Sequence, residues 1–379
     1  MDLRWTDEQQ ALREAVRDVC AKHASPDVVR SLEDDPAGYR PDTWRELATM
    51  DLLGMTIPES FGGVGQSALE TVILYEEFGR ALLPSPHFVS SVIGSGLLLT
   101  AGSDAQRKDW LPKIASGEAI FSVAWLEPER SATPEGVAIR ARDGRLSGEK
   151  IMVPFASSAT RLIVLARTGD APADIGLFLV DPSGDGVRLL QTKTLGSDAE
   201  YMVTMNDAPA EAVGSPAQGW DAFDQVMVDG LIALAAYASG GSEAAHAMAV
   251  AYAKERIQFG KPIGSFQAIA HPLAETIAEI HGGRILAHEA AWARASGKDA
   301  RTIAAMAKLV CCDVYKRVTK LGQQVFGGIG FTRDIDMQLY FRRAKQLELS
   351  WFGPRELEER VTAAELDAPE PFVTVDGLT

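Results

Sequence analysis

The chain has 379 residues, 46% of them hydrophobic, which is enough to bury a large core and to build two or three domains. Its 52 acidic against 37 basic side chains give a formal net charge of -15, so the chain as a whole repels nucleic acid and anionic lipid, and a phosphate site has to be a local basic feature. Three cysteines (Cys20, Cys311, Cys312) and six histidines show no CxxC, HExxH or other metal-ligand spacing, which argues against a catalytic metal and leaves the cysteines as small core residues.

The start, "MDLRWTDEQQALREAV", lacks the basic, apolar and small-residue regions of a signal peptide, and no run of ~20 apolar residues occurs, so a cytoplasmic location is expected. Thr6 and Gln9 are spaced as a capping box ahead of a helix whose Leu12, Val16 and Val19 recur at helical spacing. "PDTWRELATMDLLGM" and "ALETVILYEEFGRALL" continue the helical period, separated by the glycine-rich loop "IPESFGGVGQ". From about Ile120 the period becomes alternating, in short segments rich in β-branched and aromatic residues and divided by turns such as Asp143-Gly144. From Gly219 the helical period returns and runs to about Leu366, and "DAPEPFVTVDGLT" reads as a loosely held tail. The expected order is α, β, α: a helical domain over 1–118, a β domain over 119–218, a helical bundle over 219–366 and a tail over 367–379. Ligands commonly bind at such junctions.

In "KERIQFGKPIGSFQ" Arg256 stands where one helix ends and shortly before another begins, with Lys261 beside Gly260. An arginine fork near unpaired helix N–H groups suits a pyrophosphate. The plainer alternative is that Arg256 caps its own helix and Lys261 is merely solvated. In "GQQVFGGIGFTRD", Gln324 precedes Gly327 and Gly328; the glycines admit a ligand to the backbone, and a glutamine amide offers both donor and acceptor.

Together "YAKERIQFGKPIGSFQAIAHPLA" and "QVFGGIGFTRDIDMQLYFRRAK", behind an α–β–α layout, strongly resemble the acyl-CoA dehydrogenase family, and the likeness extends to "IPESFGGVG", "YEEFGRAL" and "GEKIMV". The resemblance implies an α+β multidomain fold: an N-terminal helical domain, a middle β domain and a C-terminal helical bundle. It also implies FAD as cofactor, an acyl-CoA thioester as substrate, α,β-desaturation as reaction and electron-transfer flavoprotein as electron acceptor. In that family a carboxylate base takes the α-proton while the β-hydrogen leaves as hydride to the flavin, and hydrogen bonds polarise the thioester carbonyl. The family's cross-interface grip on the ADP half of a neighbour's FAD maps onto Arg256, Phe259, Phe266, Gln267, Gln324, Gly327 and Gly328.

The chain departs from the family where a subunit would hold and use its own flavin. The glutamate of the family's Tyr-Glu-Gly-Thr-like stretch falls on Trp351 or Phe352, and the alternative base position falls on Gly230, followed by Leu231. Neither carries a carboxylate. Asp229, Glu348 and Glu356 are the nearby acids, and Asp229 is the candidate substitute, although one helical step turns its side chain by ~100°. The flavin loop reads "WLEPERSATPEG", keeping Glu127, Pro128 and Ser131 without a glycine before the serine. The family's Trp-Ile-Thr becomes Met152, Val153 and Pro154, and proline has neither N–H nor hydroxyl. The expectation is a subunit without its own base, resembling that of bacterial α2β2 steroid side-chain acyl-CoA dehydrogenases, which completes the FAD site of a homologous, base-carrying partner. A self-sufficient homomeric dehydrogenase using Asp229, and a flavin-free scaffold for acyl-CoA or protein, are the alternatives. Trp125, Trp220 and Trp292 read as packing residues, and "RELEERV" as a solvated helix.

Overall fold

The computed structural model describes residues 5–215 and 217–366, so the tail read from the sequence lies outside the described residues. The first helices are α1 (Asp7–His23), α2 (Pro26–Ser31), α3 (Pro41–Thr49), α4 (Ala68–Ala81), α5 (Ser95–Ala101) and α6 (Asp104–Ala115). At the start of α1, Thr6 Oγ1 accepts from the Gln9 N–H and Gln9 Oε1 accepts from the Thr6 N–H; Ser67/Glu70 and Ser103/Gln106 repeat this box at α4 and α6. The expected helix over "PDTWRELATMDLLGM" stops early, at Thr49, because Asp51 turns left-handed at φ 58° and the chain folds back. Between α4 and α5, Phe88–Gly94 winds as a π-helix, which the sequence reading did not anticipate.

The middle segment forms seven strands: β1 (Phe121–Ala124), β2 (Arg140–Arg142), β3 (Arg145–Pro154), β4 (Arg161–Arg167), β5 (Ile175–Val180), β6 (Val187–Thr192) and β7 (Glu200–Val213). Asp143 and Gly144, both at positive φ, make the two-residue turn between β2 and β3. Pairing runs β1-β4-β2-β3-β7-β5 and returns from β5 to β4, so the sheet closes on itself. The period of two divides each strand between two cores. Leu162 and Val164 face the barrel interior, while Ile163 and Leu165 join the core of the helices.

The last segment holds α7 (Gly219–Glu255), a hairpin of β8 (Ile257–Gln258) and β9 (Lys261–Pro262), α8 (Gln267–Ala295), α9 (Arg301–Phe326), α10 (Met337–Leu349) and α11 (Pro354–Glu365). At 37 residues α7 is the central post, and most of its middle is buried. It crosses α4 with the backbones nearly touching: a Cβ on Gly240 would fall 1.8 Å from the Glu76 carbonyl oxygen, and one on Gly79 would fall 1.9 Å from that of Tyr237. The acidic pair of "YEEFGR" is spent on assembly. Glu76 accepts two 2.9 Å hydrogen bonds from Arg284 and lies 2.6 Å from His288, while Glu77 binds Arg13 and Arg17, so α1, α4 and α8 are pinned together. One expectation needs correcting. The "RELEERV" helix is not solvated all round, because Leu357 is buried, and Arg360 pairs with Asp224 at 2.6 Å and lies over the Phe352 ring at 4.0 Å.

Candidate functional site

At the far end of α7, Arg256 is the C-cap residue; its backbone N–H bonds Tyr252 at 2.8 Å. Its exposed guanidinium makes no hydrogen bond or ion pair among the described residues, so the side chain does not cap the helix. Phe259 and Gly260, both at positive φ, form the hairpin tip, where the Phe259 side chain is 90% exposed. Phe266 anchors the return: its ring lies 6.0 Å from that of Phe259 and carries the Lys261 ammonium 4.3 Å from its centroid. Gln267 opens α8, a helix of 29 residues whose first N–H groups have no side-chain cap.

The second motif arrives at the same end because α9 runs back beside α7. Phe326 stacks on Tyr252 with ring centroids 4.3 Å apart, and Gly327 at φ 65° then turns the chain. Gln324 and Gly328 are exposed, and a Cβ built on Gly327 or Gly328 would meet nothing within 4 Å. The two stretches therefore present an unpaired guanidinium, an uncapped helix start, an aromatic pair and accessible backbone on one open surface. These groups suit a phosphate-bearing ligand with a flat ring, and they form one wall without an opposing one.

The cleft between the barrel and the helices is built differently. After α10 the chain turns through Trp351 at φ 53° and Phe352 at φ 74°, a left-handed pair that bulky residues rarely adopt. Lys308, fully buried on α9, holds this turn: its ammonium donates to the carbonyls of Ser350 at 2.8 Å and Phe352 at 2.7 Å, and lies 3.3 Å from that of Glu348. The turn thrusts its rings into the cleft. Trp351 lies 6.0 Å from Trp125 in a stacked arrangement and 5.1 Å from Phe88, while Phe352 packs 5.2 Å from Trp125 and 6.2 Å from Phe223.

The residues on the barrel side of this cleft do not fit a flavin ring. The space beside Trp125, Met152 and Trp351 amounts to about 190 Å³, below the ~300–1,000 Å³ typical of cofactor sites. Pro154 offers no N–H, and its carbonyl already accepts the Ser122 hydroxyl. The carboxylate of Glu127 is consumed within the barrel, accepting from the N–H groups of Ala138 and Ile139 and from Lys150 at 2.8 Å. Ser131 shares a hydrogen bond with Thr133.

The carboxylates named from the sequence stand apart from the cleft. Both oxygens of Asp229 accept from Arg294 at 2.8 Å, and Asp229 lines neither cavity that adjoins Trp351. Burial works against the charge of Glu348, yet hydrogen bonds from Lys316 and Lys345 hold its carboxyl below the ordinary range. Glu356 sits at the start of α11, in a surface cleft with Asp221, Asp224 and Arg360. The positions of Gly230 and Leu231 are core. Asp198, paired with Arg343, lines one of the cavities beside Trp351, and Glu200 lines both. Burial and then the charge of Asp198 push its carboxyl up to about 8, with Arg343 opposing. Sequence reasoning missed it because Glu200 looks like an ordinary strand end; its one signal is an acid opening the apolar segment "YMVTM".

Two family models match the chain: "Acyl-CoA dehydrogenase, N-terminal domain" over residues 6–118 and "Acyl-CoA dehydrogenase, C-terminal domain" over residues 217–366. Acyl-CoA dehydrogenase IpdE2 of Mycolicibacterium smegmatis is 30% identical over 94% of this chain and 99% of its own length. Among solved structures, a variant of the Tcur3481-Tcur3483 steroid ACAD superimposes with a TM-score of 0.84 at 31% identity, covering 94% of this chain and 96% of that one. The ChsE4-ChsE5 complex from Mycobacterium tuberculosis gives 0.88 at 27% identity, covering 98% of this chain and 100% of that one.

Proposed function

The chain belongs to the acyl-CoA dehydrogenase family, and from that premise we propose that it is the non-catalytic subunit of a heteromeric acyl-CoA dehydrogenase, completing the FAD site of a base-carrying partner. FAD is the cofactor of this family, and the family's reaction is an oxidation at a CH–CH bond. The single observation that carries the reading is the contrast between the two ends of the C-terminal bundle. At one end Arg256, Phe259, Gln267, Gln324 and Gly328 stand exposed, with the half-buried Phe266 and Gly327 among them, as one wall of a phosphate site. At the other end, aromatic rings fill the cleft where this chain would keep a flavin of its own.

The turn supports a specific register with the family pattern. Phe352 at φ 74° occupies a conformation that favours glycine, which supports reading it as the glycine of Tyr-Glu-Gly-Thr and Trp351, itself at φ 53°, as the glutamate position. An indole cannot take a proton from an α-carbon, and losing a positioned base costs roughly 10²- to 10⁴-fold in rate. FAD, when bound, would supply the hydride acceptor, and this chain's residues would neutralise and orient its diphosphate. Arg256 supplies the charge, the start of α8 supplies N–H groups, Gln324 a two-sided amide, and Gly327 and Gly328 close backbone approach. The partner supplies the base and the flavin-facing barrel, and electron-transfer flavoprotein takes the electrons. The substrate class is the CoA thioester of a steroid side chain, supported by the likeness to a steroid acyl-CoA dehydrogenase, and the ChsE4-ChsE5 likeness supports a two-chain assembly.

Expression with and without a homologous, base-carrying partner subunit tests the reading. The chain alone is expected to purify colourless and without acyl-CoA-dependent reduction of an electron acceptor, and the co-expressed complex to be yellow and active. A yellow, active chain on its own would instead establish a homomeric enzyme.

A further inference from the structure

The outer face of α8 is left unused by the chain's own fold. His271, Ala274, Ala278, Gly282, Ile285 and Glu289 follow one another at steps of three and four residues, so they share one stripe of the helix, and all six are exposed. Ile285 stands within the stripe at 46% exposure and Ile277 flanks it at 37%. The neighbouring α9 widens the apolar face. Met306 and Val310 are exposed on it, and a Cβ on Gly283 of α8 would fall 3.9 Å from the Val310 side chain. Among the described residues, α1 to α6 leave no large hydrophobic side chain exposed, and the contrast marks the α8–α9 face as a contact surface.

Gly282 is an independent sign of the same thing. It stands at the middle of a helix that runs from Gln267 to Ala295, where glycine costs about 1 kcal/mol relative to alanine. Its neighbour Gly283 has a reason within the chain, since a Cβ there would meet the Cys311 sulfur at 3.2 Å. Gly282 has none, because a Cβ there would meet nothing within 4 Å. With Ala274 and Ala278 it makes the centre of the stripe flat, so that another helix backbone can approach closely. Two adjacent helices over ~20 residues present a face of roughly 30 Å by 20 Å, and a pair of such faces buries on the order of 1,200 Å², the lower end of specific interfaces.

The polar groups at the two ends of the stripe identify the occupant. An antiparallel crossing of α8 on a second α8 near its midpoint sets residue 271 of one copy opposite residue 289 of the other, and twofold symmetry makes this contact twice. His271 then meets Glu289, an imidazole against a carboxylate, and neither side chain has a hydrogen bond or ion pair of its own among the described residues. The same register sets Ala278 against Gly282, small on small at the crossing, and Ala274 against Ile285, small on large beside it. A face that answers its own charge and its own shape fits its own copy. We infer that this face binds a second copy of the chain, with two α8 helices crossing at Gly282 about a twofold axis.

The inference does not rest on the proposed subunit role, since copies of a homomeric enzyme would pair through the same face, and FAD content reads that role separately. All three native cysteines are buried, so Gly282→Cys introduces the one exposed thiol, at a position where a side chain meets nothing inside the chain. Treating the assembled complex and the full chain alone with a short bis-maleimide identifies the neighbour directly. The expected product in both is a covalent pair of this chain, at twice its mass. An adduct with a different subunit, or no adduct, would overturn the inference. Sedimentation of the full chain gives a second reading. Gly282→Arg should weaken self-association by about tenfold or more with an unchanged circular dichroism spectrum, and Glu289→Lys should weaken it as well. Combining Glu289→Lys with His271→Glu should restore association to within about threefold of the wild type. Equal association of wild type and Gly282→Arg, or no recovery in the double variant, would also overturn it.

Discussion

Lys308 shows a buried charge used for geometry alone. Its ammonium, from which burial removes part of the ordinary proton affinity, answers the carbonyls of Ser350 and Phe352, and so fixes the rings of Trp351 and Phe352 in the cleft. Replacing it by methionine keeps the volume and strands those carbonyls, at a cost of about 1–3 kcal/mol. Lys308→Met should therefore unfold at lower denaturant than the wild type and shift the tryptophan emission; an unchanged midpoint would show that the turn holds itself. Glu200 makes a prediction of opposite kind. Its folded value, about 8, lies above the ordinary 4.5, so its contribution favours the fold fully below about pH 4.5 and is lost as pH rises through about 8. Glu200→Gln should melt at a temperature that changes less across this window, and above pH ~8 it should be the more stable protein, by an amount on the order of a few kcal/mol. Parallel thermal melts across the window check this, and parallel profiles would refute it.

At the scale of elements, the hairpin β8–β9 and the end of α9 were legible as chemistry because their residues are local: a glycine-bent turn, a cation and an uncapped helix start follow one another within a dozen residues. Their meeting was not legible, since it depends on Phe326 stacking on Tyr252 across two helices. The same difference explains Glu200 and the plug. Sequence distance separates Trp125 from Trp351, and only the closure of the barrel against α10 makes them neighbours. The hairpin carries the prediction for this scale. On the proposed reading, Arg256→Ala in the assembled complex should remove a charged partner of the diphosphate, a loss of about 1.5–3 kcal/mol, or roughly ten- to hundred-fold in FAD retention. Fluorescence of FAD released on dilution measures it. Because the Arg256 side chain makes no hydrogen bond or ion pair among the described residues, stability of the complex without flavin should hardly change, and equal FAD retention would make Arg256 a bystander.

At the scale of the whole molecule, the order of helical, barrel and helical segments could be read from the switch of hydrophobic period, because each period follows directly from backbone geometry. The interlocking of the first and last segments into one core could not, since it rests on the contact of Gly79 and Gly240 and on buried acids such as Glu76, whose partners lie about two hundred residues away. The proposed division of labour is a statement about this whole. One bundle end presents an open wall, and the chain's own rings pack into the cleft at the other. The ratio of FAD to protein chains in the purified, fully assembled complex tests it most directly. One FAD for every two chains is the result this division requires, and one FAD for every chain would contradict it.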